Sequence, residues 1–365
     1  MRFPEFSGEW EKGTLQSVAT LSKGTGISKD QLSEDGQPCI LYGELYTKYK
    51  SEIIDVIISK TDIDSQKLVR SQTNDVIIPC SGESAVDIAT ARCVKQSDVL
   101  LGGDLNIIRL KGEHDGSFFA YQLNGKRKYD IAKVAQGVSV VHLYGEHLKG
   151  VKVDYPSAAE QKKISSLLAL IDQRIETQKK IIEKYESLIR GLCEQLTRQG
   201  TKNKAINECL DCHTSTLQES TVSGTGEYPV YGASGVCGYT NFNDVKDDGI
   251  LIIKDGASVG TTYYARGSYS HIGTLNRLTA RKGVNLRYVY YCLKVMNFAP
   301  YKTGLAIPHI YFKDYGKHRI WCPSYEEQLH IANILTQIDD KIHVEKSLLE
   351  QLNSQKRYML NKLFI

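Results

Sequence analysis

The chain has 365 residues, of which 41% are hydrophobic and 24% are charged. At roughly 150 residues per domain this length favours two or three domains, and the composition excludes both a disordered chain and a collagen-like fibre. The net charge of +4 neither requires nor excludes a nucleic-acid partner, because the placement of the charges decides that question.

In chain order, the sequence predicts a globular part, a long helix, a second globular part and a second long helix. Runs of β-prone residues bounded by glycine predict strands at 75–79, 105–110 and 250–254. Short helices are predicted at 121–123 and 288–293. The fold class is therefore mixed α/β, with two globular parts separated by long helices.

The two long helices begin alike, at Pro156-Ser157 and at Pro323-Ser324, where the proline breaks the preceding chain. Glu160 and Glu327 follow three positions after these serines, as in a capping box. Each helix then carries an apolar seam with steps of four and three over about 40 residues, or roughly 60 Å. Since a lone helix would expose this seam, we predict that the two helices pack antiparallel as a coiled coil.

One polar residue interrupts each seam near its middle, Gln178 in the first helix and Glu345 in the second. We interpret the pair as a register device at which the two helices approach each other; the alternative is that each side chain reaches solvent from a frayed seam. The candidate coiled-coil and subunit-docking positions are Ile164, Leu168, Ile171, Ile175, Gln178, Ile331, Leu335, Ile338, Ile342 and Glu345.

The chain consists of two copies of one sequence unit. Residues 156–197 and 323–364 align without a gap at an offset of 167, with 14 identities in 42 positions. Upstream the offset rises to 170, to 174 and then to about 191, so insertions of about 24 residues (191 − 167) lengthen the first globular part. This self-similarity predicts an internal pseudo-twofold duplication.

The sequence favours a cytoplasmic protein. No run of about 18 apolar residues occurs, so we expect no membrane-spanning helix and no membrane partner. Residues 1–10 lack the apolar core of a secretory signal. The nine cysteines are an odd number without an export signal, which is typical of reduced thiols.

Several signatures of catalysis are missing. The sequence has no Gly-x-x-x-x-Gly-Lys-Ser/Thr phosphate loop and no His-Glu-x-x-His zinc motif. None of the eight prolines is followed by proline or aspartate, so the signatures of amino-methyltransferases and of common restriction nucleases are also missing. We therefore predict no catalytic residue and no metal site in this chain.

Two features invite a catalytic or cofactor role but are better explained as structural. Cys209, Cys212 and His213 match a haem-attachment pattern, yet this attachment needs an oxidising compartment, and a zinc site needs a second Cys/His pair nearby. His142 and His309 recur in the repeat, but no Ser, Cys or Asp recurs beside both, so we expect a structural hydrogen bond for each.

Basic and aromatic residues interleave in both globular parts. Lysine and arginine can neutralise phosphates, and polar side chains at loop tips can read base edges. For any single residue the alternative is a solvated loop, but the double occurrence on a rigid spacer favours DNA contact. The candidate DNA-binding residues are Lys23, Lys29, Tyr42, Tyr46, Lys48, Arg92, Arg109, Lys126, Arg127, Tyr231, Ser234, Lys254, Ser258, Arg266, Arg277 and Lys302.

Four motifs together indicate a family. The chain opens with Arg-Phe-Pro-Glu-Phe-Ser-Gly-Glu-Trp at 2–10, and both long helices begin with Pro-Ser-x-x-Glu-Gln-x-x-Ile. The second globular part adds Tyr-Pro-Val-Tyr-Gly-Ala-Ser-Gly at 228–235 and Asp-Gly-Ala-Ser-Val-Gly at 255–260. In this combination the chain resembles, over essentially its whole length, the specificity (S) subunit of type I restriction–modification systems.

The resemblance implies a non-catalytic subunit with two target-recognition domains, each reading one half of a bipartite site in duplex DNA. The helices would set the spacer and dock two methyltransferase (M) subunits, with which restriction (R) subunits assemble. S-adenosylmethionine, ATP and Mg would then belong to the partner subunits, and this chain would hold no cofactor. The implied boundaries are 1–155 and 200–322 for the recognition domains, and 156–199 and 323–365 for the family's conserved helices.

Two other classes of function stay open from the sequence. One is a coiled-coil scaffold whose globular ends bind protein rather than DNA, which salt-dependent binding to duplex DNA would exclude. The other is a self-sufficient nuclease or methyltransferase, which the missing motifs disfavour.

Overall fold

Residue contacts divide the chain into two units in the computed structural model. Unit 1 comprises Met1–Lys179 together with Leu348–Ile365, and unit 2 comprises Lys180–Ser347. Each unit therefore contains one globular part and a segment of each long helix; the predicted domain boundaries stay predictions. The structure describes residues 2–63, 66, 68–138, 140–243 and 245–364.

Unit 1 is built on a five-stranded sheet with the order β2-β11-β7-β9-β5, next to a four-stranded sheet with the order β10-β4-β6-β3. Its strands are β1 (Glu11–Thr14), β2 (Ala19–Lys23), β3 (Leu32–Ser33), β4 (Gln37–Ile40), β5 (Ile53–Ile54), β6 (Ser59–Thr61), β7 (Asp75–Pro79), β8 (Ser81–Gly82), β9 (Arg92–Val94), β10 (Leu100–Leu101), β11 (Leu105–Leu110), β12 (Val141–His142) and β13 (Lys152–Tyr155). Its helices are α1 (Leu15–Val18), α2 (Glu44–Thr47), α3 (Ala85–Ile88), α4 (Gly116–Asn124), α5 (Lys128–Val134), α6 (Gly145–Lys149) and the first part of α7 (Ala158–Thr197).

Unit 2 is built on a four-stranded sheet with the order β15-β21-β18-β19, next to a three-stranded sheet with the order β17-β16-β20. Its strands are β14 (Lys204–Ala205), β15 (Leu210–Thr214), β16 (Tyr228–Gly232), β17 (Gly235–Thr240), β18 (Gly249–Ile253), β19 (Thr262–Ala265), β20 (Ser270–His271), β21 (Leu275–Ala280) and β22 (Arg319–Ile320). Its helices are the second part of α7, α8 (Ile206–Cys209), α9 (Leu286–Lys294), α10 (Phe312–Tyr315) and the first part of α11 (Tyr325–Leu363).

The equivalent elements of the two units confirm the repeat. Strands β2 and β15 start 191 residues apart, β7 and β18 start 174 apart, and β11 and β21 start 170 apart. Helices α6 and α10 start 167 apart. These are the offsets that the sequence alignment gives, so the variable spacing is located in the loops between equivalent elements. The predicted strands and short helices in both globular parts are also confirmed.

Most apolar seam positions of the long helices are buried in both units, as the heptad pattern predicts, whereas Ile338 is only partly buried. In unit 1, Ile164 and Leu168 of α7 share a core with Leu360 and Leu363 of α11. Further along α7, Ile171 and Ile175 pack instead on Leu349 and Leu352. Rising residue numbers on α7 meet falling numbers on α11, so these two segments run antiparallel. In unit 2, the core contains the seam residues Ile189, Ile331, Leu335 and Ile342, together with Cys193 of α7.

The polar seam residues are buried rather than solvated. Gln178 is 6% exposed and Glu345 is 8% exposed. Lys341, one turn earlier on α11, pairs with Glu345 at 2.8 Å. This burial argues against a frayed seam at either position.

The helix starts differ from a complete capping box. The hydroxyl of Ser157 accepts from the amide of Glu160 at 3.4 Å, as expected for an N-cap. The carboxylate of Glu160, however, is held by the guanidinium of Arg2 through two contacts of 2.8 Å. The opening motif of the chain is thereby tied to the start of α7.

A buried ion cluster joins the helices to the globular part in unit 1. Lys356 Nζ of α11 lies 2.6 Å from Glu52 Oε2 and 2.6 Å from Asp172 Oδ1 of α7. Tyr121 of α4 donates to Asp172 Oδ2 at 2.7 Å, and the guanidinium of Arg92 adds a second cation beside these carboxylates. The positive charges of two cations therefore compensate the negative charges of two carboxylates in the interior.

The pKa shifts in this cluster follow from burial and from the pairing. Burial, together with the charge of Glu52, raises the pKa of Asp172. Burial also opposes the charged forms of Glu52 and Lys356, but their mutual attraction outweighs it. The pKa of Glu52 is therefore lowered and that of Lys356 is raised, so both stay charged near neutral pH.

Unit 2 repeats only part of this cluster. Asp339 stands at the position equivalent to Asp172, and Tyr291 Oη lies 3.4 Å from its carboxylate. The cation comes from a different element, since Lys294 of α9 pairs with Asp339 at 3.0 Å. The position equivalent to Lys356 is Ile189, which is buried.

Gly116, the first residue of α4, lies where a side chain has no room. A Cβ atom there would be 2.3 Å from the backbone oxygen of Asn74 and 2.9 Å from Cys93 Sγ. We expect Gly116→Ala to lower the free energy of unfolding by about 2–3 kcal/mol, because the clash is with backbone. Urea denaturation followed by circular dichroism measures the change.

The matched control is Gly150→Ala. Gly150 has a φ of −81°, and a Cβ atom added there would meet no other atom within 4 Å. The change should therefore be neutral or stabilise the chain by less than about 1 kcal/mol. Equal effects of the two substitutions would contradict the packing described for Gly116.

Candidate nucleic-acid interface

In unit 2, the central strand β18 leads into a turn that is closed by a hairpin at residues 303–309, named hairpin 2. Gly256 adopts a φ of +101° in this turn, a conformation that favours glycine. Its amide donates to the carbonyl of Pro308 at 2.9 Å, and the amide of Ile310 donates to the carbonyl of Lys254 at 2.9 Å. Hairpin 2 is therefore fixed beside the Asp-Gly-Ala-Ser motif.

Unit 1 contains the equivalent arrangement at residues 136–142, named hairpin 1, of which Ser139 lies outside the described residues. Strand β12 at its end pairs antiparallel with β8, so that His142 faces Ser81. The amide of Leu143 donates to the carbonyl of Cys80 at 2.8 Å. The same elements thus build a turn and a hairpin at the end of the central strand in both units.

A histidine, a tyrosine and a lysine form a stack beside each hairpin. The rings of His142 and Tyr144 are 6.2 Å apart, and those of His309 and Tyr311 are 6.5 Å apart, each pair at an interplanar angle of 27°. A lysine ammonium lies over each tyrosine in cation–π geometry, Lys23 over Tyr144 at 5.5 Å and Lys313 over Tyr311 at 5.3 Å. The stacked residues are His142, Tyr144, Lys23, His309, Tyr311 and Lys313.

Each histidine makes a side-chain hydrogen bond, as the sequence predicts. His142 Nδ1 is 3.3 Å from the hydroxyl of Ser81, and His309 Nδ1 is 2.8 Å from Asp255 Oδ1. Partial burial acts to raise the pKa of Asp255, but its hydrogen bonds with Lys254 and His309 outweigh this effect and lower it. The carboxylate of Asp255 is therefore charged and holds the histidine ring in place.

Five of the candidate DNA-binding residues of unit 1 lie around two adjacent cavities. An open cavity of about 850 Å³ is lined by Lys29, Tyr42 and Lys48, among others. The second, of about 690 Å³, is lined by Tyr42, Tyr46 and Arg92. The structure thus brings these residues together, although they are spread over more than 60 positions of the sequence.

The four remaining candidates of unit 1 are arranged differently. Lys23 belongs to the stack beside hairpin 1. Lys126 and Arg127 follow α4, where Arg127 pairs with Asp154 and Asp130. Arg109 of β11 is engaged with Asp75 at 2.7 Å. These arginines hold secondary structure elements together.

Arg92 lies in the interior and not on the exposed surface. Its side chain is largely buried, and it donates to the carbonyls of Tyr49 and Ala91 at 3.2 and 3.0 Å. Burial lowers its pKa, and the carboxylates of the ion cluster oppose that effect. This placement favours a role in the ion cluster over contact with a phosphate.

The candidates of unit 2 fall into three places. Lys254 and Lys302 lie beside hairpin 2, and Ser258 lies in the turn after β18. Tyr231 and Ser234 belong to the β16–β17 hairpin. A third set comprises Arg277, which donates to Tyr269 Oη at 3.1 Å, and Arg266, which pairs with Asp340 of α11 at 3.0 Å.

Part of this surface is not predicted from the sequence. His142 and His309 are expected to be structural only, and Tyr144, Tyr311 and Lys313 are not among the candidates. The available signal was the recurrence of the histidine and the tyrosine at an offset of 167. The lysines carried no such signal, because Lys23 and Lys313 come from different elements of the two units.

The described part of the chain shows no site of another kind. No group of three or more His, Cys, Asp or Glu side chains in that part could hold a metal ion. Within the same residues, no helix combines the length and apolarity needed to cross a membrane. All nine cysteines are free thiols.

The chain is similar to curated specificity subunits over about a third of its length. The type I restriction enzyme MjaVIII specificity subunit of Methanocaldococcus jannaschii is 30% identical over 122 residues, which is 33% of this chain and 29% of that protein. The type I restriction enzyme EcoprrI specificity subunit of Escherichia coli is 26% identical over 112 residues, 31% of this chain and 28% of that protein. The matched region thus spans less than a third of these relatives.

Solved structures extend the similarity of fold to the whole chain. The S subunit of a type I restriction–modification system from M. genitalium has a TM-score of 0.70 at 19% identity, covering 100% of this chain and 99% of that one. A chain from a study of complex assembly and conformational transition of the type I R-M system has a TM-score of 0.56 at 13% identity, covering 98% and 97%. At these identities the likeness shows the fold alone.

A family model supplies the assignment. The model of the type I restriction modification DNA specificity domain matches residues 7–187 and, a second time, residues 201–354. The two matches cover most of the chain and correspond to the two copies of the repeat. The chain therefore belongs to the type I restriction modification DNA specificity domain family.

Proposed function

We propose that this chain is the DNA-recognition subunit of a type I restriction–modification complex and has no catalysis of its own. The observation that carries the proposal is the duplication of one exposed surface, in which a hairpin, a stacked histidine and tyrosine and a lysine recur on two copies of one fold. Two copies of one surface suit two half-sites, each read by one unit. The family and the names of the relatives support this role.

The partners follow from the same proposal. Two M subunits would dock on the long helices, which would also set the spacer between the half-sites, and R subunits would complete the complex. Exposed apolar side chains occur along both long helices and could contact these partners. They are Leu170, Leu188, Val344 and Leu348. S-adenosylmethionine, ATP and Mg would be bound by these partners, and the complex would act in the cytoplasm.

The test is co-expression of this chain with its M subunits, followed by long-read sequencing of methylated bases. We expect methylated adenines at one split sequence, and none when the chain or the M subunits are expressed alone. Methylation by this chain alone would refute the non-catalytic role. Binding of the complex to protein but not to duplex DNA at any salt concentration would favour the scaffold class instead.

A further inference from the structure

Both hairpins present apolar side chains at their tips. Leu305 in hairpin 2 is fully exposed and Ile307 is 59% exposed. The equivalent residues of hairpin 1, Val138 and Val140, are 97% and 54% exposed. Exposed apolar residues are common singly, but here the same two positions of the repeat carry them in both units. The duplication indicates a shared partner for the two tips.

The base of each hairpin is closed by backbone hydrogen bonds. Thr303 and His309 exchange two backbone hydrogen bonds of 2.9 and 2.7 Å across the base of hairpin 2, and Gln136 and His142 do the same in hairpin 1. Gly304 follows directly in hairpin 2 with a φ of +86°, and a Cβ there would lie 2.5 Å from the carbonyl oxygen of Ile307. A closed base and a tight turn reduce the conformational entropy that the hairpin loses on binding.

A similarly tight glycine turn forms hairpin 1. Gly137 has a φ of +120°, and a Cβ there would lie 2.1 Å from the carbonyl oxygen of Val140. Both units therefore depend on glycine to fold the apolar tip back onto the base of its hairpin.

The charges around hairpin 2 favour duplex DNA as the occupant. Lys302 precedes the hairpin, and Lys313 lies over Tyr311 directly after it. Lys254 at the base is paired with Asp255 at 2.7 Å, so Lys302 and Lys313 supply the positive charge. Cations around an apolar tip match the major groove, in which phosphates border base edges that include the apolar methyl group of thymine. The core of a protein interface, by contrast, is depleted in charged residues.

We propose that the two hairpins enter a groove of duplex DNA, where Leu305 and Val138 contact base edges and contribute to specificity. This inference rests on the proposed function and deepens it. It assigns the readout of bases partly to apolar tips and assigns the grip on phosphates to the neighbouring lysines.

The experiment measures binding by the full chain co-expressed with its M subunits. The wild-type complex first selects a duplex from a random library, and the affinities for this duplex and for a scrambled duplex are then measured over a range of salt concentrations. We expect Leu305→Ser to weaken binding to the selected duplex roughly tenfold, by loss of one buried leucine contact, and to leave the scrambled duplex and the salt slope unchanged. Lys313→Ala should instead weaken both duplexes and reduce the salt slope by about one.

Leu305→Met is the conservative control and should retain wild-type selectivity, because it keeps the apolar volume. Selection of no duplex by the wild-type complex would refute the proposed function, and this inference with it. Wild-type selection combined with unchanged selectivity of Leu305→Ser would overturn only the inference. Loss of the M subunits from the Leu305→Ser complex would overturn it as well, since the hairpin would then be a protein-docking surface.

Discussion

Replacement of Lys356 by methionine is expected to lower the free energy of unfolding of the chain by about 3–5 kcal/mol. The ammonium of Lys356 neutralises Glu52 and Asp172, which are both nearly buried. Removal of one partner leaves an uncompensated buried charge, which is costly even where the intact cluster itself contributes little. Methionine is only one atom shorter than lysine and keeps its apolar stem, so the loss of charge dominates. Urea denaturation followed by circular dichroism measures the effect.

Lys346→Met is the matched control on the same helix. Lys346 pairs with Glu186 at 2.6 Å, but both side chains are about half exposed. Solvent and salt screen such a pair, so the expected loss is below about 1 kcal/mol. If the two substitutions were equally mild, Lys356 would have to reach solvent, contrary to its place in the structure.

The double substitution of Lys302 and Lys313 by alanine is expected to weaken DNA binding by the complex roughly 30-fold at low salt. Each contact between a lysine and a phosphate at about 4 Å in water contributes about 1 kcal/mol. The plot of log affinity against log salt concentration should become shallower by about two. Fluorescence anisotropy with a labelled duplex, repeated at several salt concentrations, measures both quantities.

Lys282→Ala is the control, because Lys282 follows β21 at the end of the sheet opposite hairpin 2. The antiparallel register pairs Ile253 with Leu275 near the hairpin, whereas Lys282 follows the other end of β21. Its removal should leave the salt slope unchanged. An equal loss from Lys282→Ala and from the double substitution would mean that the net charge, and not this surface, governs binding.

The long helices and the repeat could be predicted because they depend on local periodicity. Apolar residues at every third or fourth position lie on one face of a helix and are buried together. Residues such as Leu168 and Leu335 could therefore be predicted as buried from their spacing. The strands β7 and β11 were likewise predictable from runs of β-prone residues. The strand order was not, because pairing depends on contacts between distant segments.

The candidate surface was predictable only in part. Residues such as Lys29 and Tyr42 were selected for their chemistry, and the structure places them on one cavity. Arg92 was also predicted to bind DNA because it is an arginine. In the structure its side chain is buried, contacts backbone carbonyls and lies beside the carboxylates of the ion cluster. The apolar tips of the hairpins were not predicted as DNA-binding residues. A leucine is usually a core residue, and its exposure is known only from the structure.

By itself, the sequence determined the duplication, the two long amphipathic helices and the family, since all three are carried by spacing and by local motifs. Only the tertiary structure decided which polar residues are exposed. Lys356 stands at a seam position, but its burial between two carboxylates depends on Glu52, which is about 300 residues away. Likewise, Gly116 and its counterpart Leu286 begin equivalent helices, yet only at Gly116 does a distant carbonyl exclude a side chain. The charge and packing of such positions are set by long-range contacts, and local sequence does not encode these contacts.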